Sequence, residues 1–189
     1  MMVTRISKAR CLAAVLAIAF LAAGTPVVMT GARAQDQMGQ LTVVGMVKVN
    51  GKPAATGDIV ASGDAVQTAA KSSSVVSLGK LGRVEAQAES KANLSFDGGS
   101  IKVALEAGRV RLSSSSGTAA RISTRDGEAV ADAAQENSFT VDTTCGNTLV
   151  TVQSGRVELR AGGTVKQIAA GGQDTAGTAT PGLCRGQRP

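Results

Sequence analysis

The side chains able to do chemistry are few, and their spacing decides between catalysis and structure. The chain has no His, which removes Ser-His and Cys-His nucleophilic pairs and the commonest zinc ligands. Ser77-x-x-Lys80 has the spacing of a Ser–Lys dyad. No Ser-Asp-Asn or Lys-Thr-Gly element accompanies it, and its setting reads as a hairpin, where that dyad wants a helix start. Gly45 to Lys52 has the outline of a phosphate loop, but five residues separate its glycines. Pro53 also stands where a Ser or Thr would meet Mg²⁺. Asp58 and Asp64 each follow a glycine and invite a calcium reading. Ordinary Gly-Asp turn chemistry accounts for the same residues, and no further oxygen ligands stand close in sequence.

Cys145 as a nucleophile would lack a base. With export, Cys145 and Cys184 are an even pair in an oxidising compartment and read as a disulfide; two free thiols are the other reading. Closing their loop of about 40 residues would stabilise the fold by roughly 4 kcal/mol in the chain-entropy model. Arg109 and Arg156 are candidate partner-binding residues, as an exposed basic ladder for an acidic partner or a cell-wall polymer. The plainer reading is solvated outer-face charge flanking Glu106 and Glu158. No catalytic residue, metal ligand or cofactor site is assigned.

The elements that must position these residues are short strands. Val103, Leu105, Gly108, Arg109, Val110 and Leu112 set a pattern that Val150, Val152, Gly155, Arg156, Val157 and Leu159 repeat at the same offsets. Alternation that changes phase across a glycine is what a tight hairpin or a bulged corner produces. Leu81-Gly82-Arg83-Val84, preceded by Val76 and Leu78, is a weaker third copy. Asn50-Gly51 predicts a type I′ hairpin turn, and Asp97-Gly98-Gly99 another turn. Gly57-Asp58 and Gly63-Asp64 mark two turns six residues apart. Ser113 to Thr118 reads as a flexible crossing, and residues 127–137 as strand in preference to a helical turn. The chain is a stack of hairpins on this reading, with a Gly-, Thr- and Pro-rich tail from Gln173 held by Cys184.

Composition agrees with thin β layers. Hydrophobic residues make up 43% of the 189, yet there is no Trp or Tyr and only three Phe, while Gly numbers 23. Such a core is built of Val, Ile, Leu and Ala. The net charge of +6 owes four basic residues to the first 34 positions; the remainder holds 16 basic and 14 acidic residues. That balance, without aromatics, argues against nucleic-acid binding.

Residues 1–34 read as a signal peptide. Arg5, Lys8 and Arg10 precede the apolar run Cys11 to Ala23, and Ala32-Arg33-Ala34 supplies small residues for cleavage. The other reading is an uncleaved anchor, marginal for spanning about 30 Å of hydrocarbon. Membrane contact is expected only through this segment, if uncleaved. The exported chain is expected in the periplasm or medium.

The order Gly45-x-Val47-x-Val49-Asn50-Gly51, Gly57-Asp58, Gly63-Asp64-x-Val66-x-Thr68, then Ser74 and the Leu78 to Val84 hairpin, resembles the start of a FecR-like domain. Leu105-x-x-Gly108-x-Val110, Ile122-x-Thr124, Phe139-x-Val141 and Val150-x-Val152-x-x-Gly155-x-Val157 resemble its second half. The resemblance runs from Leu41 to Gly172, and the domain is placed at 35–172 with the tail at 173–189. It implies an all-β stack of short strands and hairpins, solenoid-like or sandwich-like, outside the cytoplasm. Iron-responsive members carry a cytoplasmic sigma-binding helical region; here only Met1 to Arg10 precede the apolar run, and Asn137-Ser138 replaces the usual Gly-Thr. The expected function is non-catalytic binding of an envelope protein or cell-wall polymer, in envelope signalling. A structural, self-assembling role is the alternative.

Overall fold

In the computed structural model the described residues are 38–179. The expected signal segment and Cys184 lie outside them. The strands in chain order are β1 Gly39–Val44, β2 Val47–Val49, β3 Lys52–Ala54, β4 Ile59–Val60, β5 Ala65–Thr68, β6 Ser73–Ser77, β7 Gly82–Ala86 and β8 Lys91–Phe96. There follow β9 Ser100–Ala107, β10 Arg109–Ser114, β11 Ala119–Ser123, β12 Glu128–Ala131, β13 Asn137–Asp142, β14 Thr148–Ser154, β15 Arg156–Ala161, β16 Thr164–Ala169 and β17 Gln173–Ala176. A single 3₁₀ turn, Gly79–Leu81, interrupts them.

The strands form two sheets. One has eight strands in the order β17-β14-β13-β10-β7-β6-β1-β4; the other has nine, β16-β15-β12-β11-β9-β8-β5-β2-β3. The chain passes repeatedly from one sheet to the other, so both grow from the N-terminal flank toward the C-terminal one. Inward-facing residues of both sheets share one core, including Leu41, Val76, Leu112 and Phe139 from the first and Val66, Ile101, Ile122 and Leu159 from the second. Alternation makes this possible: in β10 Val110 and Leu112 are buried while Arg109 and Arg111 reach solvent. Period-two burial on each sheet is the signature of two layers packed face to face. The all-β, sandwich-like expectation holds.

Several hairpins fall where the sequence puts them. Asn50 (φ 52°) and Gly51 (φ 77°) both adopt positive φ between paired β2 and β3, as a type I′ turn requires. Asp97 to Gly99 joins β8 to β9. Residues 128–131 and 137–142 are strands.

Two expectations need correction. Gly108 and Gly155 are not hairpin turns: β9 and β10 lie in opposite sheets, as do β14 and β15. Each glycine is a corner, with φ +90° and +85° respectively, and the phase of burial changes because the core lies on the other side of the chain. Gly82 differs, since β6 and β7 pair as a hairpin within one sheet. The boundary at 172 also falls too early. β17 pairs with β14 from Gln173 to Ala176, and Ala176 is buried. Polar Gln173, Asp174 and Thr175 conceal a strand whose single buried contribution is one methyl group.

Candidate interaction surfaces

Three of the corners between sheets are locked by one device. The residue after the corner glycine donates its N–H to a polar side chain of the neighbouring corner. Met46 N–H bonds Ser72 Oγ at 2.9 Å, Arg109 N–H bonds Ser90 Oγ at 2.9 Å, and Arg156 N–H bonds Asn137 Oδ1 at 3.0 Å. Ser72 and Ser90 end matching turns, Ala70-Lys71-Ser72 and Ala88-Glu89-Ser90, whose middle residues have φ 55° and 56°. Asn137 does more, donating Nδ2–H to the carbonyls of Asp132 (2.7 Å) and Gln135 (2.8 Å). The departure from Gly-Thr at 137–138 is therefore a cross-corner clamp. The repeated Ala-x-Ser is the signal that could have revealed the other two.

Asp58 and Asp64 are turn residues. Their carboxylates accept the N–H groups of Ala55 (2.9 Å) and Ala61 (2.8 Å). The two turns are copies in Ala-[Thr/Ser]-Gly-Asp, and each pins a strand of a different sheet. Thr56 Oγ1 accepts from Val43 N–H at 2.9 Å in one, and Ser62 Oγ accepts from Phe96 N–H at 2.8 Å in the other. Among the described residues no group of three or more Asp, Glu, Cys or His is placed to hold a metal ion. Ser77 ends β6 and Lys80 lies in the 3₁₀ turn, a hairpin setting.

The basic ladder does not form. Arg109 faces Asp142, which faces Leu149 near the start of β14, and Gly155 and Arg156 follow that strand's far end. The two arginines therefore stand at opposite ends of the sandwich. Arg109 is also committed: its guanidinium Nε donates to Asp142 Oδ2 at 2.7 Å, and Nη2 bonds the same oxygen. Burial pushes the Asp142 carboxyl up, but the Thr144 hydroxyl and N–H and the Arg109 guanidinium outweigh it and hold it below its ordinary value. The Arg156 side chain is exposed at its corner. Cys145 is buried in the turn joining β13 to β14; its expected partner Cys184 lies outside the described residues.

Two clefts remain. On the outer face of the eight-stranded sheet, register places Gln40, Ser77, Arg83, Ser113, Ser138 and Ser154 in one cross-strand row. At about 4.8 Å per strand the row spans about 24 Å. A cleft of about 380 Å³ opens over it, bounded also by Glu136. Its walls offer hydroxyls, one guanidinium and one carboxylate, a set suited to hydrogen-bonding a polar chain. The second cleft, about 390 Å³, lies at the N-terminal flank between Met46, Val47, Pro53, Ala54, Gln67 and Ala69.

Three of the four strand edges are protected. β4 has two residues, and β3 has three with Pro53 in the middle. On β16, Lys166 turns off the outer face and bonds Asp174 of β17 across the open flank at 2.7 Å. Short edges, proline and inward-pointing charge are the devices that discourage edge-to-edge pairing.

No family model matches the chain, and no curated protein does. Solved structures similar in fold include two crystal structures of a "putative anti-sigma factor" from Parabacteroides distasonis ATCC 8503, each at TM-score 0.51 and 18% identity. Each match covers 59% of this chain and 53% of that one, so the chain spans about half the length of the structures it resembles.

Proposed function

We propose that this chain is an exported FecR-type module that works by binding, without catalysis, in the cell envelope. One observation carries the reading. Residues 38–179 form the stacked two-sheet architecture that the sequence resemblance implies, and the Parabacteroides structures share it over 59% of this chain. Envelope signalling enters through those neighbours, and the partner is an envelope protein or a cell-wall polymer. The serine-and-arginine row supports polar, hydrogen-bonded recognition through the outer face of the eight-stranded sheet. Protected edges β3, β4 and β16 favour this over the self-assembling alternative, which needs open strands.

The test is in-cell photo-cross-linking from position 113, with Arg83→Ala as the comparison. The expected result is one envelope protein or wall fragment captured from Ser113 and lost in the variant. Capture of the chain's own copies alone, or of nothing, overturns the reading.

A further inference from the structure

The two outer faces of the sandwich treat their charges differently. On the nine-stranded sheet Lys91 pairs with Glu106, Arg121 with Glu128 and Arg160 with Glu158, leaving Lys48 and Lys102. On the outer face of the eight-stranded sheet the one ion pair among the described residues is Arg109–Asp142. Arg83, Glu85 and Arg111 form none, although register puts Glu85 of β7 directly opposite Arg111 of β10. The Arg111 guanidinium leans the other way, its Nε reaching Ser138 Oγ on β13 at 3.4 Å. Opposite charges facing each other across strands ordinarily attract, so this arrangement leaves two guanidiniums open.

Both open guanidiniums border the serine row. Arg83 stands opposite Ser113, and Arg111 lies two residues before Ser113 on the same face, so the two arginines are diagonal neighbours about 7–8 Å apart. Ser113 Oγ and Ser138 Oγ meet at 3.3 Å, while the side chains of Ser77, Arg83 and Ser154 make no hydrogen bond among the described residues. Around the cleft stand Lys80, Arg83, Arg111 and Arg156 against Glu85 and Glu136, and none of these six has an ion pair among the described residues. The excess is positive and attracts anions. From Gln40 to Ser154 the row itself holds no apolar side chain, where a protein interface wants an apolar or aromatic centre. The chain has no Trp or Tyr, and Phe96 and Phe139 are buried, so no aromatic ring is offered to a neutral sugar. Charge and hydrogen bonds must supply the affinity.

We propose that the serine-and-arginine row binds an anionic polysaccharide. A carboxylate or phosphate of the polymer lies between Arg83 and Arg111, held by guanidinium N–H groups, and its hydroxyls exchange hydrogen bonds with Ser77, Ser113, Ser138 and Ser154. Lys80 and Arg156 add attraction at longer range. This rests on the binding role proposed above and narrows the partner to an acidic wall or surface polymer.

The test is affinity electrophoresis of the chain as recovered after export, run through gels containing one of four polymers. Polygalacturonate carries carboxylates, polyglycerol phosphate carries phosphates, dextran is neutral, and polyglutamate stands for an acidic protein segment. The expected result is retardation by polygalacturonate, by polyglycerol phosphate or by both, none by dextran, and weakening as salt rises from about 0.05 to 0.3 M. Arg83→Gln and Arg111→Gln should each weaken binding at least about tenfold, with strand content unchanged by circular dichroism. Lys102→Gln, an unpaired cation on the other outer face, should change it less than about twofold. Retardation by neither acidic polysaccharide, equal retardation by dextran, tighter binding of polyglutamate, or a Lys102→Gln loss equal to that of Arg83→Gln overturns the proposal. A protein or a neutral polymer cross-linked from position 113 would also overturn it while leaving the binding role intact; no capture from 113 at all would remove that role instead.

Discussion

Arg109 and Ser90 are bonded reciprocally: the backbone N–H of Arg109 donates to Ser90 Oγ at 2.9 Å, and that hydroxyl donates back to the Arg109 carbonyl at 2.9 Å. One serine thus bonds both backbone groups of the residue that opens β10, at the point where the chain changes sheets; the carbonyl also accepts Gln87 N–H at 2.9 Å. Ser90→Ala takes the partner from the N–H in a part-buried setting, while the carbonyl keeps Gln87. Its expected cost is about 1–2 kcal/mol, read by urea denaturation. Ser95→Ala, at an exposed position of β8, should cost under about 0.5 kcal/mol.

The corner glycines separate two effects. Gly108 has φ +90°, and a Cβ there would meet Ser90 Cα at 2.5 Å and the Glu89 carbonyl at 2.6 Å. Gly51 has φ +77° with open space around it. Gly51→Ala should cost about 1–2 kcal/mol from backbone strain alone. Gly108→Ala should cost roughly 3 kcal/mol or more, because backbone must also move. Equal losses in the two variants would mean that the close packing of neighbouring corners contributes nothing.

Acid should release the Arg109–Asp142 pair. The Asp142 carboxyl titrates below its ordinary value. Its contribution to stability is therefore full above the unfolded-state value of about 3.9 and is lost as pH falls through the lower folded value. Asp142→Asn should destabilise the protein by about 2 kcal/mol at neutral pH and flatten the stability profile below about pH 4. Denaturation midpoints taken across that range in both proteins check the sign.

Cys145 is expected to pair with Cys184. Reduction should add the mass of two hydrogens to the intact chain and lower stability by roughly 4 kcal/mol. An unchanged mass after reduction removes the disulfide.

Lys166 guards an edge. Lys166→Val should leave the monomer folded but introduce concentration-dependent association through β16, visible by light scattering. A monomer at every concentration would mean that the edge is closed by something other than that charge.

Much of the architecture was readable because it is periodic. Val110 and Leu112 alternate with Arg109 and Arg111, and Asn50-Gly51 can hardly be anything other than a turn. What escaped was whatever depends on which sheet a strand joins. Pattern alone cannot tell a chain that folds back beside itself from one that crosses a core, so Gly108 and Gly155 read as hairpins. The arginine ladder failed for the same reason, since two identical local patterns sit at opposite ends once the crossings are counted. β17 escaped because Gln173, Asp174 and Thr175 are polar and only Ala176 faces inward. Ser72 and Ser90 look like ordinary loop serines until the corners they clamp are brought together.

The strand order has a consequence for how the molecule is assembled. Across both sheets, position follows chain order closely from β1 to β17, with β4 and β3 folded back at the starting edge. Each newly emerging strand therefore finds its partner already in place, and no early strand waits for a late one. A chain released N-terminus first can add rungs in succession, each new one templated by the last. Shortening from the C-terminus should likewise remove rungs one after another, leaving the earlier ones paired as before.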